Sequence, residues 1–246
     1  MNIIVVLPAY NEAENLPAIF KGLNTLMRDT YNLSVHLIVV DDGSTDGTAE
    51  VASAQGGDIH VEVLRNAENQ GLARTFARGI LAAAEKAAED DIIVCMDADN
   101  SHLPGQILRM VRDIQEGRDV VIASRYREGA IVRGVAWHRR ILSRGMSFLF
   151  RCVFPIPGVR DYSCGYRAYR AELLKKAISN RGEHLFAQEG FACMVAILLR
   201  LHKEGAICSE VPLVLRYDQK IGQSKMNVLS TITKTLQVLL KERICS

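Results

Sequence analysis

The sequence predicts an α/β fold, a mostly parallel sheet with helices on its faces, and three observations carry that expectation. Apolar runs at 3–7, 37–40 and 92–96 each have the length and composition of a buried parallel strand. Segments with helical spacing separate the strands, as βα units require. At 246 residues, 48% hydrophobic and 24% charged, the chain has material for one full core rather than two independent units.

The first strand runs into PAYNEAENL. There Pro8 is expected to stop the ladder, and Asn11 to open a helix as N-cap with Glu14 as its capping-box partner. This run is short and lacks a basic leader, so it reads as a strand and not a signal peptide. The second strand leads through Asp41 and Asp42 into a tight turn of Gly43, Ser44, Asp46 and Gly47, then a helix near 47–55. Ser44 and Thr45 read as plain loop chemistry. A strand near 59–64 follows, then a helix near 72–88 with Leu72, Phe76 and Ile80 on one face. The third apolar run gives way to Asp97 and Asp99, a helix from Pro104 to about Glu116, and a strand at 119–123. There is no internal repeat and no low-complexity linker.

Asp97 and Asp99 stand where a strand leaves the sheet, the edge at which open α/β sheets bind ligands. Two acids one residue apart can share a divalent cation; hard oxygens select Mg or Mn, and substrate phosphates usually complete such a site. Taken alone, the pair is also compatible with capping the helix at Pro104. The second acidic strand end, LIVVDDGSTDGT, favours a ligand site.

Six cysteines are scattered without a CxxC pair, as in a reduced, cytoplasmic protein, and no His pair has zinc-ligand spacing. The longest apolar stretch, 191–199, is nine residues, far short of the roughly 20 that cross a bilayer. From Ser124 the character changes. Residues 125–170 hold ten arginines, no lysine and two acids, so this stretch alone carries +8 while the whole chain carries +2. Arginine without lysine suits bidentate phosphate recognition. Without a nucleic-acid motif, nucleic acid is not expected as the partner. Among those arginines lie Trp137, Ile141, Leu142, Met146, Phe148, Leu149 and Phe150, in a helix suited either to lipid head groups or to packing on the sheet. DYSCGYRAYR has Asp161 where a nucleophile elbow needs Gly, so a serine hydrolase is rejected. At the end, Leu229, Ile232, Leu236, Leu239 and Leu240 share one helical face, and core packing is the expected use of it.

Taken in order, LPAYNEAENL, VVDDGSTDGT, NQGLARTFARG, MDADNSH, ASRY and GQSKM resemble the family 2 glycosyltransferases, in the branch of dolichol-phosphate mannose synthases and related polyprenyl-phosphate glycosyltransferases. The resemblance covers residues 2 to about 227. It implies a GT-A fold, Rossmann-like in its mostly parallel sheet, as a single domain over 1–226. Within it, 1–123 would take the nucleotide sugar and 124–226 the acceptor, with an amphipathic helix at 227–246. It also implies a nucleotide-diphosphate-sugar donor, Mg or Mn as cofactor, and inversion at the anomeric carbon.

Carried over by position, the resemblance puts Pro8, Tyr10, Glu12, Val40 and Asp42 on the nucleoside. Asp97, Ala98 and Asp99 form the metal and diphosphate motif, with Asp99 the direct ligand and Asp97 and Ser101 beside it. Arg125 and Arg139 fall near the donor and acceptor phosphates with Ser143 in the same helix, and Lys225 reaches the donor diphosphate. Departures are informative. The mannose synthases usually have Gln at Ser101, so a hydroxyl or water must replace one metal contact. They carry Arg at Gln219, where Lys220 and Arg216 are candidate substitutes, and some relatives have a phosphate-binding Lys at Ala192. The donor therefore stays open between GDP-mannose, UDP-glucose and others. The expected partners are the donor, a polyprenyl phosphate, the cytoplasmic membrane face and a candidate anchoring subunit. The alternatives are a non-lipid acceptor and, outside the enzymes, a non-catalytic sugar-nucleotide-binding subunit of a membrane complex.

Overall fold

The computed structural model describes residues 1–30, 33–54, 57–188, 190 and 192–219. Lys220, Lys225 and the expected helix at 227–246 lie outside the described residues. In chain order the elements are β1 (Ile3–Ala9), α1 (Leu16–Asp29), β2 (Val35–Asp41), α2 (Thr48–Ser53), β3 (His60–Arg65), α3 (Leu72–Lys86), β4 (Ile92–Cys95) and α4 (Ile107–Gln115). Then come β5 (Val120–Ser124), β6 (Ile131–Arg133), α5 (Trp137–Val153), β7 (Arg167–Arg170), α6 (Ala171–Arg181), α7 (Ala192–Lys203), β8 (Cys208–Pro212) and β9 (Val214–Arg216). The main sheet runs β3-β2-β1-β4-β7-β5-β8, and β6 pairs with β9 separately. Every pairing in the main sheet is parallel except those of β7, which is antiparallel to both β4 and β5. The expected α/β architecture is present.

β1 sits centrally, and Ile3, Val5, Val6 and Leu7 are wholly buried because helices cover both faces. Pro8 does not end the strand: β1 continues to Ala9, with Pro8 opposite Val40. The reason is register. Asn2 and Val6 accept from β4-side N–H groups, so even-numbered residues face β4, whose pairing with β1 stops at Val6. The N–H that proline lacks would point to the β4 side beyond the last paired residues, Val6 and Cys95.

Asn11 does not cap α1 either. The helix starts at Leu16 after Asn15, and Asn11 adopts φ +52°, a left-handed conformation that asparagine tolerates, inside the loop. α3 crosses the sheet at Gly79, where a Cβ would stand 2.4 Å from Val6 Cγ1 and 2.9 Å from Val40 Cγ2. The nine-residue apolar stretch becomes most of α7, buried on every side from Ala192 to Leu201. No helix among the described residues is long and apolar enough to cross a membrane.

Candidate active site

β1, β2 and β4 are adjacent and parallel, so their C-terminal ends open on one edge. β5 joins them there, because two antiparallel pairings through β7 restore its direction to that of β4. The loops at 10–15, 42–47 and 96–102 and the residue after β5, Arg125, therefore converge by topology alone.

The first two loops are stitched together. Asn11 N donates to Ser44 Oγ at 2.9 Å, Thr45 N to Asn11 Oδ1 at 2.9 Å, Glu12 N to Thr48 Oγ1 at 2.9 Å and Ala13 N to Asp46 Oδ2 at 3.0 Å. Burial alone would raise the Asp46 carboxyl; the Thr48 hydroxyl and the backbone donors outweigh it and hold it below its ordinary value. Glu12 accepts from Asn15 Nδ2 at 2.7 Å. Asp42 is buried, and its oxygens accept from Asn66 Nδ2 at 2.8 Å, Gln70 N at 2.9 Å and Gly71 N at 2.9 Å. It thereby ties NQGLA to the sheet edge. Gly43 allows the approach: its φ is +70°, and a Cβ there would stand 2.6 Å from the backbone of Glu68. Pro8 and Tyr10 are partly exposed along this groove. Val40 is not: its side chain lies wholly in the core under α3, leaving only backbone to a ligand.

At the third loop Asp97 is 42% exposed, while Asp99 and Ala98 are buried. Ser101 donates from both N (3.1 Å) and Oγ (2.5 Å) to Asp99 Oδ1. The serine thus stands behind the ligand position, orienting Asp99, and is itself only 2% exposed. Asn100 makes the sharp turn at φ +59°. Among the described residues no group of three His, Cys, Asp or Glu is placed to hold a metal. The two carboxylates nonetheless fit Mg or Mn, whose shell is commonly completed by diphosphate oxygens and water.

The two arginines stand at the C-terminal end of β5 and on α5. Arg125 grips the fully buried Asp161, with Nε on Oδ2 at 2.7 Å and Nη2 on Oδ1 at 2.6 Å, and Nη2 also donates to Ser163 Oγ at 2.7 Å. Burial would raise the Asp161 carboxyl, but the Arg125 charge and its hydrogen bonds prevail and lower it, while the Arg125 guanidinium is raised in turn. The Arg125 guanidinium also lies 5.5 Å from the Tyr126 ring centroid, and the Tyr126 hydroxyl meets Ser143 Oγ at 2.6 Å. Arg139, one turn before Ser143 in α5, lies 6.0 Å from the Tyr217 ring centroid. Of the candidate substitutes for a diphosphate arginine, Arg216 is taken up by Asp218, to which Nε and Nη2 both donate. Ala192 is buried at the start of α7. The loop at 96–102 is also latched to β9: Arg216 N donates to Ser101 O at 2.9 Å, and Gln106 holds Pro212 O and Val214 N.

The outward face of α5 is apolar. Trp137, Ile141 and Phe148 are 73%, 61% and 67% exposed, with Arg140, Arg144 and Arg151 exposed beside them. Phe150, Ser147 and Met146 face inward, so the helix packs on the molecule by its narrower side.

Sequence reasoning missed Asp161, Tyr126, Tyr217 and His102 as site residues. Asp161 and Tyr217 lie far along the chain from Arg125 and Arg139, and only the fold joins them, whereas Tyr126 ends the quoted motif ASRY beside Arg125 and was readable in principle. His102 ends the quoted motif MDADNSH and was readable in principle.

Residues 4–178 match the family described as glycosyl transferase family 2. The chain is 32% identical over 226 residues to a polyprenol monophosphomannose synthase of Mycolicibacterium smegmatis, covering 91% of this chain and 80% of that protein. It is 31% identical to a dolichol-phosphate mannosyltransferase of Pyrococcus furiosus, covering 81% of this chain and 53% of the relative, which is much longer. Among solved structures, glucosyl-3-phosphoglycerate synthase from Mycobacterium tuberculosis, in complex with Mn2+, UDP and phosphoglyceric acid, superposes with TM-score 0.66 at 21% identity, covering 98% of this chain and 78% of that one. This likeness confirms the fold.

Proposed function

The chain belongs to glycosyl transferase family 2, and from that premise we propose that it moves a hexose, mannose in the first instance, from a nucleotide-diphosphate sugar to a polyprenyl phosphate. The observation that carries the reading is the convergence at one sheet edge of the Asp97–Asp99 pair with Arg125 and, through Tyr126, Ser143, one turn after Arg139 in α5. In this reading the acids would take a cation and the basic segment after β5 the second phosphate.

In the reaction, an oxygen of the lipid phosphate forms a bond to the anomeric carbon as the bond to the donor diphosphate breaks. The electron pair leaves with the nucleoside diphosphate, and a single displacement inverts the centre. The attacking phosphate is already ionised at neutral pH, so no strong general base is needed. A divalent cation, when bound, stabilises the charge developing on the leaving diphosphate. Asp99 and Asp97 are the residues that would hold it, with Ser101 fixing the orientation of Asp99. Arg139 would offset the repulsion between the two anionic substrates, Arg125, expected there from the sequence, is already paired with the buried Asp161 and would chiefly order the segment around it, and Lys225 is assigned to the diphosphate from the GQSK motif alone. Pro8, Tyr10, Glu12 and the loop ordered by Asp42 would receive the nucleoside, with Val40 contributing backbone only.

The relatives' names support a prenyl acceptor, and the exposed apolar and arginine faces of α5 support docking on an anionic membrane surface. The free thiols at Cys95, Cys152, Cys164, Cys193 and Cys208 support a reducing, cytoplasmic side. A thermal-shift screen of nucleotide sugars with Mn2+ tests the donor. GDP-mannose should raise the melting temperature more than UDP-glucose or UDP-N-acetylglucosamine, because only ligand bound to the folded state stabilises it. A larger shift with another donor would replace mannose, and no shift with any of them would remove the reading.

A further inference from the structure

We propose that Tyr126 is a positioning residue for the acceptor phosphate, its hydroxyl fixing Ser143 and with it the first half of α5; the inference rests on the transfer to a polyprenyl phosphate proposed above. The Tyr126 hydroxyl and Ser143 Oγ are 2.6 Å apart. Two hydroxyls that share one hydrogen bond use one of their two protons, and the other is left to donate elsewhere. A phenol donates more readily than an aliphatic hydroxyl, so Tyr126 is assigned as the donor and the Ser143 proton is the one left over. Both residues are half-buried, which keeps that proton within reach of a ligand. A phosphate dianion only accepts, so a serine hydroxyl serves it only with the proton turned toward it, and the tyrosine supplies that orientation.

Tyr126 is the fixed partner of the two. Tyr126 N donates at 3.1 Å to Oγ of Ser124, which is wholly buried at the end of β5. The Tyr126 ring lies 5.5 Å from the Arg125 guanidinium, and Arg125 is locked on the buried Asp161, whose own N donates to Glu210 Oε1 at 2.5 Å. Ser143 stands on the less anchored part of its helix: α5 buries only Ser147 and Phe150, both in its second half. In the first half Ser143 meets Tyr126, and one turn earlier Arg139 lies 6.0 Å from the Tyr217 ring centroid. Of these two contacts the hydroxyl pair is the short and directional one, so it sets where the helix stands relative to β5. Ser143 and Arg139, both assigned to the acceptor side, are thereby held at one distance from the sheet edge.

The test measures transfer of labelled mannose from GDP-mannose to a polyprenyl phosphate in detergent with Mn2+, using the full chain. KM and kcat are read separately over an acceptor series, and GDP affinity is followed by calorimetry. Tyr126→Phe removes the hydroxyl and keeps the ring beside Arg125. It should raise the acceptor KM by about 2–10-fold, the worth of one hydrogen bond, with kcat and GDP affinity those of the wild type. In a Ser143→Ala background the same change should have no further effect, because the hydroxyl has then lost the group it acts through. An acceptor KM unchanged by Tyr126→Phe in the wild-type background would overturn the proposal. So would equal rises in both backgrounds, which mean that the hydroxyl acts elsewhere, or a GDP affinity that falls in step with the acceptor KM, which marks a general scaffold. If the wild type binds GDP but labels no polyprenyl phosphate, the acceptor reading itself falls, and this proposal with it.

Discussion

Asp161 accepts three hydrogen bonds from Arg125 and further ones from Ser163 N and Cys164 N while wholly buried, which makes it the hub of the segment that follows β5. Its carboxyl is held below the ordinary value. It therefore contributes stability in full above the unfolded carboxylate range, and that contribution is lost as pH falls through the lower folded value. Asp161→Asn should lower the melting temperature at neutral pH, and the gap to wild type should narrow on acidification. Breaking a buried pair costs about 3–5 kcal/mol, and less here because the Arg125 side chain reaches water. A gap that is constant from neutral to strongly acid pH would contradict the pairing. Arg139→Ala makes the complementary case. Arg139 sits in α5 beside Tyr217 and away from the nucleotide loops, so its loss should raise KM for the lipid phosphate with nucleotide affinity in a calorimetric titration unchanged. Equal weakening of both would move Arg139 to the donor side. The acids 97 and 99 were legible because adjacent residues carry their own signal. The partnership of 125 with 161 was not, since 36 residues separate them and only the insertion of β7 brings them together.

The parallel strands and their helices were legible from apolar runs and spacing, and the misreadings have particular causes. Pro8 breaks a ladder only where a partner strand asks for its N–H, which depends on how far the neighbouring strand extends. Asn11 looked like a cap because capping and loop bridging use the same side-chain chemistry. β7 went unread since RAYR has neither a long apolar run nor clear alternation, and its place between β4 and β5 is a tertiary fact. Gly79 tests the packing of α3 on the sheet. Replacing a helical glycine with alanine favours the helix by about 1 kcal/mol, but a methyl group 2.4 Å from the fully buried Val6 requires the core to shift, at about 1–3 kcal/mol. The crowding should win, so Gly79→Ala should lower the urea midpoint. An unchanged or higher midpoint would mean that α3 stands farther from the sheet.

Across the whole molecule the near-neutral charge conceals a division: one stretch of ten arginines sits against a remainder that is net acidic. In the fold, part of that stretch is spent internally, with Arg125 on Asp161, Arg170 on Asp119, and Arg167 buried on backbone carbonyls. Arg140, Arg144 and Arg151 remain at the surface beside the apolar face of α5. Each such side chain near an anionic membrane contributes on the order of 1 kcal/mol, and the apolar groups add a part that salt does not screen. Co-sedimentation with anionic vesicles should therefore weaken with salt without vanishing, and should fall further for Arg140→Ala/Arg144→Ala. Protein left in the supernatant at low salt would point to an anchoring subunit or a soluble acceptor.

The central claim, metal-dependent transfer of a hexose to a prenyl phosphate, is tested most directly by incubating the purified chain with GDP-mannose labelled in the sugar and a polyprenyl phosphate in detergent. Label extracted into organic solvent is then counted with Mg2+ or Mn2+ and with EDTA. Label should enter the lipid phase with metal, vanish with EDTA, and be lost in Asp99→Asn while that variant keeps the wild-type melting temperature. Lipid labelling that persists in EDTA and in Asp99→Asn, or label that stays in water at every donor and metal tried, would contradict the account.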